Sequence, residues 1–240
     1  KDFENIIKNL SLSQRDIEIK KFYLDSFINK GFPSRKEEDW KFSDLNQIIK
    51  KNIGELSFFT DYTYTNKIDT SLYVDGLEHN KIVFINGRIE KIDFNCEKKS
   101  QIEIIEQSET IDRFTNKNSL CDLNNAFTNK SFKIVVKKGY QLEKPLIIYH
   151  TTNSNIWSKN INLRLNFELN KDSSLRLIDL FNDTSEKNFL NIFYNFNLKE
   201  NAILKNYKVD KIENKNIKYS FNNIEQEKNS ISETFILSSG

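Results

Sequence analysis

The chain has 240 residues, enough for one large domain or two small ones. Hydrophobic residues make up 38% and aromatic residues 12%, which supplies a core and excludes a globally disordered chain. The 36 basic and 34 acidic residues leave a net charge of +2 with no long run of one sign, so no electrostatic feature points to nucleic acid. No apolar run approaches the length of a membrane span, and the first residues carry no signal-peptide-like apolar stretch. A soluble, cytoplasmic protein is the expectation. Met is absent even from position 1, and the sequence stops at LSSG directly after the strand-like ETFIL. A fragment, cut at one or both ends, is therefore expected.

Residues 1–56 read as a helical region. Phe3, Ile6, Ile7 and Leu10 make one apolar stripe at helical spacing. Ser13 and Asp16 stand in the positions of a capping box, and Ile19, Phe22, Tyr23 and Phe27 carry the next helix. Gly31 sits where a helix-ending glycine belongs, and Pro33 follows where a helix cannot continue. Ser43 is the expected cap of a further short helix using Leu45, Ile48 and Ile49.

Residues 57–130 read as a mixed connector. Residues 81–94, KIVFINGRIEKIDF, predict two short strands around the Asn86-Gly87 turn, and 119–129, SLCDLNNAFTN, predict a helix through Leu120, Leu123 and Phe127. From 131 to 240 the period becomes two. Ile161, Leu163, Leu165, Phe167 and Leu169 alternate with polar residues, and Ile192, Tyr194, Phe196 and Leu198 repeat the pattern. Residues 216–221, NIKYSF, repeat it more weakly. Polar turns at 169–175, 198–204 and 224–231 recur between apolar anchors; Leu175 to Leu204 is 29 residues and Leu204 to Ile231 is 27. A near-constant period in an all-β region predicts stacked rungs, a β-helix or solenoid. The alternative is an antiparallel sandwich, whose turns usually draw on glycine; here Gly is absent from 140 to 239, which favours the solenoid with Asn- and Asp-rich corners.

Little in the chain suggests chemistry. His79 lies in a polar loop, and His150 closes the apolar run PLIIYH; neither has a second ligand at metal spacing. Cys96 and Cys121 lack a CxxC or a neighbouring His and read as free, part-buried thiols. No phosphate-cradling glycine motif occurs. Carboxylate pairs such as Glu37 and Glu38 read as solvated faces in a chain with 29% charged residues. No catalytic, cofactor-binding or metal residue is assigned. The profile suits a scaffold or interaction protein better than an enzyme.

The stretch 31–45, GFPSRKEEDWKFSDL, resembles the N-terminal signature of the SufD family, subunits of the Suf iron–sulfur cluster assembly machinery. The matching positions are Gly31, Pro33, Ser34, Arg35, Lys36, Glu38, Trp40, Lys41, Phe42, Ser43 and Leu45. VFINGRIEK (83–91), LNNAFTNKSFKIVVKKGYQLEKPLIIYHTT (123–152) and SETFILSSG (232–240) are similar to later segments of that family, so the resemblance spans essentially the whole chain. It implies an N-terminal helical region, a right-handed parallel β-helix core and a C-terminal helical region; the last is expected beyond Gly240. It also implies a non-enzymatic subunit that pairs with the homologous SufB through the β-helices. The SufC ATPase would bind through the C-terminal region, and a transient iron–sulfur cluster would form on the full complex. Cys96, Cys121, His79 and His150 match no family ligand position.

Two other readings stay open. A β-helix carbohydrate-active enzyme needs a column of carboxylates on adjacent rungs, but Asp172 aligns with Asn201. A generic β-solenoid interaction protein usually repeats more regularly and lacks a capped helical N-terminus. In the charged stretch 31–45, Trp40 and Phe42 are expected to anchor the connector, with Trp40 substantially buried where the helices meet the β domain.

Overall fold

A computed structural model describes residues 2–9, 12–58, 70–94, 97–107, 118–128, 130–152, 156–182, 186–212 and 215–239. The helices come first, and each begins or stops on a side-chain or backbone device. Helix α1 spans Asp2–Asn9 and buries Phe3; Leu10 lies outside the described residues. Helix α2 spans Gln14–Lys30 behind the predicted capping box: Ser13 Oγ accepts from Asp16 N at 3.1 Å, and Asp16 Oδ2 accepts from Ser13 N at 3.3 Å. It ends on Gly31, whose φ of 72° lies in the left-handed region and whose N–H donates to Phe27 O. Helix α3 spans Leu45–Asn52. Its cap is Asp44, which accepts from Gln47 N at 3.0 Å, and not Ser43. The helix simply starts one residue later than expected, and a carboxylate caps as well as a hydroxyl.

The strands β1 (Ser57–Phe58), β2 (Asn80–Ile85), β3 (Arg88–Asp93) and β4 (Ile102–Gln107) follow, then helix α4 (Ser119–Phe127). After it come β5 (Ser131–Val136), β6 (Leu146–Thr151), β7 (Lys159–Leu169), β8 (Ser174–Asn182), β9 (Phe189–Leu198), β10 (Ile203–Lys211), β11 (Ile217–Gln226) and β12 (Ile231–Ser239). They form two sheets. One runs β11-β9-β7-β5-β4, with β1 paired to β7; the other runs β12-β10-β8-β6-β2-β3. From β5 on, odd and even strands alternate between the sheets, and their stacked neighbours are parallel. That is a parallel β-solenoid, and the antiparallel sandwich is set aside.

The rungs repeat in step. Asp172 is matched with Asn201 across 29 residues, and Asn201 with Asn229 across 28. The 27-residue interval is thus one short: Ile231 lies beside Ile203, and Ser232 takes the place above Leu204. A slip of one residue exchanges inward for outward faces, so Ile231, read as an inner anchor, points out and is 48% exposed. Each rung turns on a residue with positive φ. Asp172, Asn201 and Asn229 stack at one corner, and Ser158, Lys187 and Lys215 at the other, with φ between 52° and 61°. Asn and Asp tolerate this region best among residues with a side chain. Their amides also bond to one another, Asn201 Nδ2 to Asp172 Oδ1 at 2.7 Å and Asn229 Nδ2 to Asn201 Oδ1 at 3.3 Å. Gly139, with φ of 71° and its N–H donating to Lys171 O, holds the same corner one rung earlier; from Asp172 on, the solenoid turns without glycine.

The core lies between the sheets. All nine inward residues predicted on β7 and β9 are buried, and Phe167 stacks on Phe196 with centroids 4.9 Å apart. Burying each such side chain contributes about 1.5–3 kcal/mol. The helices cover the outer face of the first sheet. Helix α4 is buried throughout between α2 and the strands. Asn124 Nδ2 donates to the carbonyls of Leu163 and Asn191, and Asn191 Nδ2 donates back to Leu120 O. Lys20, 5% exposed, caps the far end of α4 by donating to Thr128 O at 2.6 Å and Asn125 O at 3.3 Å. Residues 57–130 are more than a connector: β2 pairs with β6 and β4 with β5, so this segment supplies the first strands of both sheets.

Candidate functional site

The two ends of the solenoid differ. At the first end, β3 and β4 close the sheets as antiparallel edge strands, and β2–β3 carries a register shift between Val83 and Phe84. The Asn86-Gly87 turn joins β2 to β3 as predicted, with φ of 52° and 78°. Reversed and bulged edges are poor templates for further pairing. At the other end, β11 and β12 are each bonded on one side only, among the described residues. Their alternation puts Ile231, Phe235 and Leu237 outward and Ile224 and Ile236 inward, yet all five are exposed, at 37–59%. The outer face of β12 therefore carries an apolar patch, whereas the inner side of β11 and β12 mixes Ile224 and Ile236 with Lys218, Asn222, Ser232 and Thr234.

Charge continues up to this end at the corner and on the outer face. Lys171 pairs with Glu200 at 2.5 Å, Lys199 with Glu227 at 2.9 Å and Lys205 with Glu233 at 3.5 Å, each pair bridging one rung to the next. These pairs are exposed and individually weak, and they follow the register that the backbone pairing sets.

Just beneath the open end the core turns polar. Asp179 of β8 is fully buried. Its Oδ2 accepts from the Tyr194 hydroxyl of β9 and lies 3.8 Å from Lys208 Nζ of β10. Its Oδ1 lies 3.2 Å from His150 Nε2 of β6 and 3.8 Å from Lys218 Nζ of β11, and accepts no hydrogen bond of good geometry. Lys218 also pairs with Asp210 at 2.5 Å. Lys208, 1% exposed, donates to Asn222 Oδ1 at 2.9 Å and lies over the Tyr194 ring at 3.7 Å.

Burial alone would raise the Asp179 carboxyl, but the charges of Lys218 and Lys208, joined by His150 whenever the imidazole is protonated, overcome it and hold the group well below the ordinary carboxylate range. Burial lowers His150, with Asp179 opposing, so the imidazole is neutral at neutral pH. Burial also brings the Lys208 ammonium down to about 8 against the pull of Asp179, and it raises Tyr194 well above the usual phenol, with Asp179 adding to it. Two lysines and two aspartates balance at neutral pH. Sequence reasoning met His150 as a solitary strand-end residue. Its partners come from four other strands, and the only trace in the sequence is a charged residue at inward positions 179, 208, 210 and 218 of an otherwise apolar alternation.

The remaining singled-out residues are scattered. His79 contacts Leu77 O at 2.6 Å and the Tyr149 hydroxyl at 2.9 Å on the outer side of the second sheet. Cys121 is buried in α4, and burial pushes its thiol up to about 12, which removes thiolate character. Cys96 lies outside the described residues. Among the described residues, no group of three or more His, Cys, Asp or Glu is placed to hold a metal ion. Trp40 is half-buried and packs beside Tyr219 of β11 at 5.9 Å, so it does stand where the helices meet the solenoid. Phe42 does not anchor anything: it is 89% exposed, because the chain turns outward to place Asp44 as the cap of α3. A cavity of about 280 Å³ at the closed end, between Phe127, Phe132 and Arg88, has its Lys130 and Glu106 already paired with each other. Among the described residues, no helix is long and apolar enough to cross a membrane. No family model matches the chain, and no curated protein matches it.

Proposed function

We propose that this chain is a SufD-like, non-enzymatic scaffold subunit for iron–sulfur cluster assembly, working in the cytoplasm with a SufB-like homologue and a SufC-like ATPase. The observation that carries the reading is the ordered match of residues 31–45 to the SufD signature. The parallel β-solenoid behind a capped helical N-terminal region is consistent with the architecture which that resemblance implies. In this reading the cluster is cargo of the whole complex, and no residue of this chain is assigned as its ligand. The SufB-like partner would pair at the solenoid and the ATPase through a C-terminal region following Gly240.

Co-expression of the full-length protein with the SufB- and SufC-type proteins of its own organism, followed by affinity capture, tests this. The three proteins are expected to co-purify. Complete failure of all pairwise association overturns the reading, as does turnover of a polysaccharide by the purified chain.

A further inference from the structure

On the outer face of the second sheet two apolar rows run across the strands, along the solenoid axis. One is Ile147, Ile178, Tyr207 and Phe235; the other is Tyr149, Leu180, Val209 and Leu237, each set by the parallel register of β6, β8, β10 and β12. Over β6 the rows are covered. The segment Thr70–His79 packs Tyr73 on Tyr149 with centroids 5.0 Å apart, Val74 N donates to the Tyr149 hydroxyl at 3.1 Å, and Ile147 and Tyr149 are buried. Past β6 the same rows emerge. Ile178, Leu180 and Val209 are half-buried, and Tyr207, Phe235 and Leu237 are exposed at 40%, 59% and 55%. A contiguous apolar patch of this kind marks an interaction surface. We propose that this band docks an amphipathic α-helix of a partner protein, with acidic residues flanking the apolar stripe of that helix.

The surface lies on the flank of the solenoid, and β8 and β10 at its centre are bonded on both sides. Their backbone donors and acceptors are used within the sheet, so a partner meets side chains only and strand addition is excluded there. Spacing then selects the docking element. The rows repeat about every 4.8 Å from strand to strand, close to the pitch of about 5.4 Å of an α-helix. An extended strand repeats a face only every 6.8 Å or about that. A helix laid along the solenoid axis therefore sets one anchor per turn over successive strands. On β10 the band is bounded by Lys205 and Lys211, about 20 Å apart along the strand, which leaves room for one helix of about 10–12 Å diameter. Arg176 of β8 continues the basic margin beside Lys205. The charged outward residues of β8, β10 and β12 are Arg176, Lys205, Lys211 and Glu233, and Glu233 is taken up by Lys205 at 3.5 Å. That balance is complementary to acidic margins on the helix. The chain uses the same device on its other sheet, where α4 lies on the outer face of β7 and β9. This docking surface is lateral and is independent of the proposed function.

Calorimetric titration of the chain with synthetic peptides tests it. The first peptide is a helix with leucines at i, i+3, i+4 and i+7 flanked by glutamates; the second has lysines in place of the glutamates; the third is an isomer of the first with its leucines at every second position. The glutamate-flanked helix is expected to bind about tenfold more tightly than either of the others. Tyr207→Glu is expected to weaken that binding about tenfold, while Phe42→Ser, which removes an exposed aromatic outside the band, leaves it unchanged. Arg176→Glu, at the exposed margin, is an independent check that does not touch the apolar rows: it shifts the preference toward lysine flanks. Absence of binding, equal binding of the three peptides, or an affinity indifferent to both band substitutions overturns the proposal. Two further outcomes also overturn it, each with no peptide bound by the unsubstituted chain. Loss of self-association in Tyr207→Glu assigns the face to a second copy, and loss of binding to phosphatidylserine vesicles assigns it to a membrane.

Discussion

Lys208 shows how one buried residue sets a pH dependence for the fold. Its ammonium titrates near 8 in the folded chain and near the ordinary lysine value when unfolded. Between those values the unfolded state binds more protons, so stability from this residue rises with pH. Cys121 acts in the opposite sense. Its thiol is pushed up from 9.0 to about 12, so above pH 9 the folded state binds the extra proton and stability falls. Tyr219, pushed up from 10.0 to about 12 by burial, adds to that fall. Urea midpoints are therefore expected to climb from about pH 8 to about pH 9, level off while the Lys208 gain offsets the Cys121 loss, and decline above about pH 10. Lys208→Met, of similar length and uncharged, should flatten the climb and leave the decline. An unchanged climb in that variant would show that Lys208 is not its source.

At the scale of elements, the corners decide the solenoid. Asn201 holds φ 58° in the middle of a side-chain ladder between Asp172 and Asn229. Asn201→Gly keeps the backbone freedom and loses the amide bonds; Asn201→Ala loses both. The alanine variant is expected to cost about 1–2 kcal/mol more than the glycine variant, measured by denaturant midpoint at constant slope. Equal costs would mean that backbone conformation contributes nothing at this corner. The alternation on β7 and β9, the Ser13 capping box and the Asn86-Gly87 hairpin were legible in sequence because each is a local pattern with one dominant physical cause. The cap of α3 was misplaced because Ser43 and Asp44 are adjacent and chemically alike. Trp40 was placed correctly and Phe42 was not, since two aromatics two residues apart in a turn have no period from which to tell inside from outside.

Over the whole molecule, the asymmetry of the ends predicts association. The open rung presents Phe235 at 59% and Leu237 at 55% exposure beside unpaired backbone groups. The 240-residue chain is expected to self-associate through that rung. Phe235→Lys, a charge on an edge strand, should shift sedimentation toward the monomer without lowering the thermal midpoint. Sedimentation of the unsubstituted chain as a clean monomer at high concentration would refute the expectation.

The sequence by itself determined the helical start, the period-two strands, the stacking of rungs and most of the inward-facing set, because burial and backbone geometry leave periodic marks along a chain. It came within one residue of the final rung. What only the tertiary structure decided was non-local. It turned one end of the solenoid into a closed edge, because β3 and β4 pair antiparallel with β2 and β5. It also gathered His150, Asp179, Tyr194, Lys208, Asp210 and Lys218 from five strands around one buried carboxylate. Parallel stacking brings residues about one rung apart in sequence into contact, and one or two charged positions in a strand carry no record of the others.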